Sequence, residues 1–288
     1  MLRSWRRAIV VDGDTTPAAG RWPLFEFDPS PEAVIEPARA ITRRADMPAA
    51  AVLCFFQDVI ETWAAAGRVV EFACLRSEIG RNPVYRLSTP AGPVALLHPG
   101  VGAPLAAGFL EEAIALGGRA FVACGGAGVL DSAIDVGAVL VPTAAVRDEG
   151  TSYHYLPPSR EVRLAPRAVA ACRTVLEAHG VPHRLVKTWT TDGLYRETAA
   201  RMARRRAEGC VCVEMETAAL AAVAEFRGVA FAQLLYGGDD LGGETWDSRQ
   251  WTDCVPVRER LLELAIEIAL ALALALARSL GGTTHGAL

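Results

Sequence analysis

The chain has 288 residues, is 51% hydrophobic but only 7% aromatic, and carries a net charge of −4 with a pI near 5.8. That composition suits a large α/β core built from Ala, Val and Leu. The acidic balance argues against a general nucleic-acid binder, whose affinity comes largely from neutralising phosphates.

In chain order, the first fifty residues are rich in Pro and charge. Met1–Asp12 is basic, but its apolar run is too short for a signal peptide, so a cytoplasmic protein is expected. Phe25-Glu-Phe-Asp-Pro-Ser-Pro-Glu-Ala-Val34 reads as a strand end, a Pro-defined turn and a helix start. Residues 50–66 suit a helix, with Leu53, Phe56, Ile60 and Trp63 near helical spacing. Val69–Leu75, Val84–Leu87 and Pro93–His98 read as strands. His98-Pro-Gly-Val-Gly-Ala-Pro104 is a turn into a helix over 105–116, where Leu105, Phe109, Ala113 and Leu116 are apolar. The buried strand Arg119–Cys124 enters the glycine turn Gly125-Gly-Ala-Gly128, and Gly137–Pro142 is the next strand. Pro166–His179 is helical and Val181–Trp189 extended. Val211-Cys-Val-Glu-Met-Glu-Thr217 reads as a strand running into a helix over 217–226, and Val229–Tyr236 is a last strand before Gly237-Gly-Asp-Asp240. A C-terminal helix starts near Pro256. Only ten apolar residues lie between Glu267 and Arg278, too few to span a bilayer, and its apolar surface suggests deep burial or a subunit interface.

Apolar strands alternating with helices predict an α/β fold, a mainly parallel, twisted sheet flanked by helices. No linker-like shift or repeat divides the sequence, so one domain over 1–288 is expected. The seven Cys include no CxxC pair and read as reduced thiols. No metal site is expected. In such sheets ligands bind beyond the carboxyl ends of the strands. His98–Pro104, Gly125–Gly128, Thr190–Tyr195, Glu214–Glu216 and Gly237–Asp240 all fall at predicted strand ends, which makes them the expected site.

The carboxylates Glu214 and Glu216 read two ways. One grips polyhydroxyl groups such as a ribose, or Glu216 only favours the positive end of the helix dipole. Gly100-Val-Gly102 and Gly125–Gly128 read as tight turns or as backbone cradles for an anion; neither is a Walker loop nor a full GxGxxG. The run Arg201, Arg204, Arg205, Arg206 reads as a solvated helix face, and His154 in Tyr153-His-Tyr155 as a structural His.

Five ordered motifs together resemble the nucleoside phosphorylase family, which includes purine nucleoside phosphorylase, uridine phosphorylase and related nucleosidases. They are His98–Pro104, Cys124–Gly128 with the strand Gly137–Pro142, Thr190-Thr-Asp-Gly-Leu-Tyr195, Val213-Glu-Met-Glu216 and Gly238-Asp239, covering roughly 75–240. The resemblance implies cleavage of the N-glycosidic bond of a nucleoside. Glu214, Met215 and Glu216 would hold the ribose. Gly125, Gly126, Leu194 and Tyr195 would form the base pocket. Asp239 would assist a purine-type leaving base, an acid suited to charge developing there. Arg76, Gly100 and Gly102 would form the phosphate or water site. Arg76 in the family's segment reaches a neighbouring subunit, implying a homo-oligomer. No cofactor is implied beyond inorganic phosphate as a co-substrate, and no nucleic-acid or membrane partner.

The departures bear on the acceptor. Phosphorolytic members carry a Pro-Gly-Asp-Pro turn followed by Arg, for which the nearest stretch is Glu26–Glu32. They carry an Arg where this chain has Ala123 and a hydroxyl residue where it has Gly126. Leu194 stands where many members place a Phe. Phosphorolysis to ribose 1-phosphate is the family's default. Hydrolysis, with Glu26, Asp28 or Glu32 activating water, is the alternative, and a nucleoside-binding homologue without catalysis is the third reading.

Overall fold

The computed structural model describes residues 22–282; Met1–Asp12 lies outside them. The chain starts irregularly. The stretch from Phe25 to Val34 forms no strand: a 3-10 turn at Pro23–Phe25 leads through loop to a one-turn helix, α1 (Pro37–Ala40). Pro29 and Pro31 lack amide donors, which disfavours a ladder there. The sheet begins with β1 (Ala50–Cys54), where a helix was expected, and the helix α2 (Gln57–Ala65) follows only afterwards. Ala50, Val52 and Cys54 pack into one core and Ala51 and Leu53 into another, so both faces of β1 are buried. A short apolar run buried on two sides has no period of its own, and here it coincides with helical spacing.

Next come β2 (Val70–Ser77), β3 (Gly80–Thr89), β4 (Gly92–Leu97), α3 (Ala103–Leu116), β5 (Ala120–Val129) and β6 (Val139–Asp148). β7 (Glu161–Arg163), α4 (Pro166–Ala178), β8 (His183–Thr191), α5 (Ala199–Ala207), β9 (Cys210–Glu214), α6 (Thr217–Arg227), β10 (Ala230–Asp240) and α7 (Val255–Gly282) complete the order. Strands pair as β10-β6-β8-β9-β5-β1-β4-β3-β2, with β7 beside β6 and an additional β10–β5 pairing. That last pairing closes β5, β9, β8, β6 and β10 into a ring. One core cluster takes Ala127, Val129, Leu140, Val186, Cys212 and Leu235 from all five of these strands.

The sheet is mixed rather than mainly parallel. β1–β4, β1–β5, β10–β5, β6–β8 and β8–β9 run parallel. β2–β3, β3–β4, β5–β9, β6–β7 and β10–β6 run antiparallel. The short connections 78–79 and 90–91 turn β2, β3 and β4 into hairpins, which are antiparallel by construction.

Helices cover both faces. α2, α4 and α7 pack over the core containing Val52, Val122 and Leu234, with Trp63 and Leu262 buried in it. α3 and α6 cover the other, around Leu53, Phe121 and Phe231. Each fully buried Leu or Phe contributes about 1.5–3 kcal/mol. α7 buries Leu261, Leu264, Ala265 and Ile268, whereas Leu274 further along is exposed, so the burial expected around this helix covers only part of it. None of the described helices is long and apolar enough to cross a membrane.

Candidate active site

The ends of β1, β5, β9 and β10, the turn after β4 and the start of α7 converge on one cavity of about 270 Å³. The end of β4 supplies the first wall. His98 Nδ1 accepts a hydrogen bond from the Gly100 amide at 3.0 Å, and Asn82 Nδ2 donates to the His98 carbonyl at 2.7 Å. Burial holds the His98 imidazole below its usual pKa, as suits an accepting Nδ1. Gly100 and Gly102 both have positive φ, +79° and +90°, which glycine adopts without strain. The turn so formed aims the Gly102 amide at Glu216 Oε1, 2.6 Å away.

The strand-to-helix junction of β9 and α6 gives its two carboxylates different tasks. Glu214 is fully engaged inside the protein. Its Oε1 accepts from the Thr190 hydroxyl at 2.6 Å, and its Oε2 accepts from the amides of Glu216 and Thr217 at 2.8 and 2.6 Å. The helix-dipole role considered for Glu216 therefore falls to Glu214. Glu216 points into the cavity and receives only the Gly102 and Met215 amides, the latter at 3.3 Å. Burial, and then the charge of Glu214, push Glu216 up to about 8. Burial also raises Glu214, against the hydrogen bonds that favour its charged form.

At the end of β10 the pair Asp239–Asp240 divides in the same way. Asp240 accepts from the Ser132 hydroxyl, the Gly242 amide and the Arg249 guanidinium at 3.1, 2.6 and 2.6 Å. Asp239 lines the cavity and accepts from Trp246 Nε1 at 2.7 Å. Behind it stands Glu197, half-buried; burial, and then the Asp239 carboxylate, push its carboxyl up to about 7.

Gly125, Gly126 and Gly128 line the cavity as strand, since β5 runs on through them instead of turning. β10 likewise continues through Gly237–Asp240. A Cβ at Gly125 would lie 3.1 Å from the Phe55 ring, and one at Gly126 3.3 Å from the Tyr236 ring. The missing side chains thus keep the cavity open between strands. Met215 and Leu194 also line it. Tyr195 is 94% exposed, outside the lining, and Arg76 is exposed on β2, away from it.

Glu26, Asp28 and Glu32 do not line the cavity; Asp28 and Glu32 face a second one with Glu111, Tyr155 and Arg227. The place expected of that N-terminal stretch is taken by the end of β1, where Phe55 and Phe56 enter the wall. Gln233, Trp251 and Arg258 line it too, and none was singled out from sequence. Arg258 Nη1 bonds Asp58 Oδ2 at 2.8 Å, and its guanidinium lies 4.9 Å from the Phe56 ring centre. The signal for Gln233 was a lone amide within an apolar strand. Trp251 and Arg258 gave none.

Among the described residues no group of His, Cys, Asp and Glu could hold a metal ion, and all seven Cys are free thiols. The basic run on α5 is not wholly solvated. Arg205 is buried, pairs with Asp148 at 2.9 Å and lies 5.4 Å from the Trp189 ring centre.

The model of the phosphorylase superfamily matches residues 42–273. The chain belongs to the phosphorylase superfamily. The uridine phosphorylase of Thermococcus kodakarensis is 33% identical over 127 residues, 41% of this chain and 44% of that one. The guanosine phosphorylase of Halorubrum lacusprofundi is 27% identical over 195 residues, 63% of this chain and 80% of that one. The match thus spans less than half of the T. kodakarensis relative. In fold the chain resembles an AMP nucleosidase from Bacteroides thetaiotaomicron, with TM-score 0.61, 23% identity, and 81% and 89% of the two chains covered.

Proposed function

We propose that the protein is an enzyme cleaving the N-glycosidic bond of a purine-type nucleoside in this cavity. The observation that carries the reading is that Glu216 and Asp239, from separate strand ends, line one cavity while their neighbours Glu214 and Asp240 are bound internally. Glu216 offers carboxylate oxygens to sugar hydroxyls. Asp239 faces the leaving base, where an acid or hydrogen-bonding group lowers the barrier by stabilising charge that develops on the departing ring. Leu194, Phe56 and Trp251 supply apolar surface for that ring. The sugar passes through an oxocarbenium-like cation, and the carboxylates favour its positive charge.

The experiment is a chromatographic assay for free base over a panel of purine and pyrimidine nucleosides, with and without inorganic phosphate. Release from purine nucleosides, reduced about 10²–10⁴-fold in Asp239→Asn, is expected. Full rate in that variant would remove Asp239 from the reaction. Binding without release would turn the assignment to a nucleoside-binding protein.

Phosphorolysis is the second reading, favoured by the exposed position of Arg76 on β2, from which it can reach another subunit of a homo-oligomer. It requires a rate that depends on phosphate and a KM for phosphate that rises in Arg76→Ala.

A further inference from the structure

We propose that Trp246 is a positioning residue for Asp239. Its indole N–H occupies one carboxyl oxygen of Asp239, so that the other, on the cavity side, carries the proton given to the leaving base. This rests on the reading of the cavity as a nucleoside site with Asp239 beside the base.

The segment between β10 and α7 makes the contact. Asp240 and Asp247 exchange two backbone hydrogen bonds, 2.8 and 3.0 Å long, as an antiparallel bridge. Side chains pin the same segment. Arg249 donates to Asp240 Oδ2 at 2.6 Å and to the Ile134 carbonyl at 2.7 Å, and Arg206 donates to the Gly242 carbonyl at 2.9 Å. Continued by one residue, the Asp240–Asp247 register sets Trp246 across from Leu241. Leu241 and Asp239 are two apart, so their side chains share a face. Both stand over Gly128, where a Cβ would meet Leu241 Cδ1, and Asp239 Oδ1 at 3.3 Å. Trp246 and Asp239 are thus diagonal neighbours on that face, a separation of about 7–8 Å that an indole bridges.

The two oxygens of Asp239 thereby differ. Trp246 Nε1 donates to Oδ2 at 2.7 Å, the one hydrogen bond of this side chain among the described residues. Oδ1 lies beside Gly128, a lining residue whose missing side chain leaves the wall open there. A carboxylic acid accepts an N–H best on its carbonyl oxygen, so the bond to Oδ2 places the acid proton on Oδ1. Trp246 stands outside the lining and is 65% exposed. Water satisfies an exposed indole N–H equally well, so the bond adds little stability and its effect falls on the carboxyl that it orients.

In the step, the carbon–nitrogen bond breaks and its electron pair leaves with the base. The Oδ1 proton passes to a ring nitrogen of the base, which leaves Asp239 a carboxylate. The acceptor bonds to the sugar carbon and gives up the proton that restores the acid. As charge builds on Asp239 the Trp246 bond strengthens, since hydrogen bonds to an ionised group are roughly twice as strong as neutral ones. Trp246 therefore favours the transition state over the ground state, and its loss belongs in kcat.

The test compares the full chain as wild type, Trp246→Phe, Asp239→Asn and the double variant on purine nucleosides, with free base as the readout. Phe keeps an aromatic ring and removes the N–H. In Trp246→Phe kcat should fall about ten- to hundredfold, the range of one hydrogen bond to a charged group, with KM changing less than about twofold. The thermal midpoint should stay near that of wild type. Added to Asp239→Asn, the Phe substitution should have almost no further effect, because both act through one group. Wild-type kcat in Trp246→Phe would overturn the proposal and leave glycosidic cleavage standing. A raised KM at unchanged kcat would do the same by making the ring a substrate contact, as would losses that multiply in the double variant. A midpoint that falls in step with kcat would also overturn it, reducing Trp246 to a structural prop. No base from wild type with any nucleoside would remove both the proposal and the reading beneath it.

Discussion

Adjacent carboxylates with unequal surroundings carry the chemistry at residue scale. Glu214 and Asp240 are saturated by hydroxyls, amides and, for Asp240, a guanidinium, whereas Glu216 and Asp239 keep capacity for a ligand. Asp240→Ala should therefore lower stability by about 1–3 kcal/mol by orphaning the Arg249 and Gly242 donors. Asp239→Asn should leave the thermal midpoint nearly unchanged. Equal midpoints in the two variants would contradict this division. Glu216 gives a pH prediction. Its folded pKa, about 8, lies above the ordinary 4.5, so between these values the folded state binds more protons than the unfolded one. Stability present below about pH 4.5 is then lost as pH rises towards about 8, by an amount on the order of a few kcal/mol. Ligand-free Glu216→Gln should flatten the fall of the thermal midpoint between pH 5 and 8, and an unchanged slope would refute the assignment.

At the scale of elements, the turn between β4 and α3 is held by backbone shape. A Cβ on Gly100 would meet Leu105 Cδ2 at 2.4 Å while the residue sits at φ +79°. Gly100→Ala should cost about 2–4 kcal/mol, from left-handed strain and overpacking together, and misplace the Gly102 amide from Glu216. Urea unfolding reads the first effect and nucleoside KM the second; wild-type values for both would show that the turn relaxes. Much of this scaffold was legible in sequence. Buried runs such as Phe121–Cys124 and Phe231–Leu235 name their strands, and the glycines after them mark where a ligand can come close. β1 was hidden because Leu53, Phe56, Ile60 and Trp63 mimic one helical face across a strand and a helix. Strand direction was hidden because it depends on the path of the chain between strands. The cavity residues Phe55, Trp251 and Arg258 come from segments roughly two hundred positions apart, which only the folded sheet and α7 bring together.

For the whole molecule, the question is how charge is distributed about the cavity. The chain carries net charge −4, and Glu214, Glu216 and Asp239 all line the cavity. Against them stands Arg258, which α7 carries in from the far end of the sequence and which Asp58 on α2 neutralises at 2.8 Å. Arg258 is the more enclosed partner, its side chain 12% exposed against 46% for Asp58, so the pair acts mainly on the guanidinium. With its Nη1 held by Asp58, the guanidinium attracts an anion less strongly than a free one would. Inorganic phosphate should therefore bind wild type only weakly, and Asp58→Ala should strengthen that binding by freeing the guanidinium for a charge-assisted contact. Isothermal titration with phosphate alone distinguishes the cases. Tighter binding in Asp58→Ala, lost again in the double variant with Arg258→Ala, is expected. Tight binding to wild type, unaffected by Asp58→Ala, would place the anion on other residues.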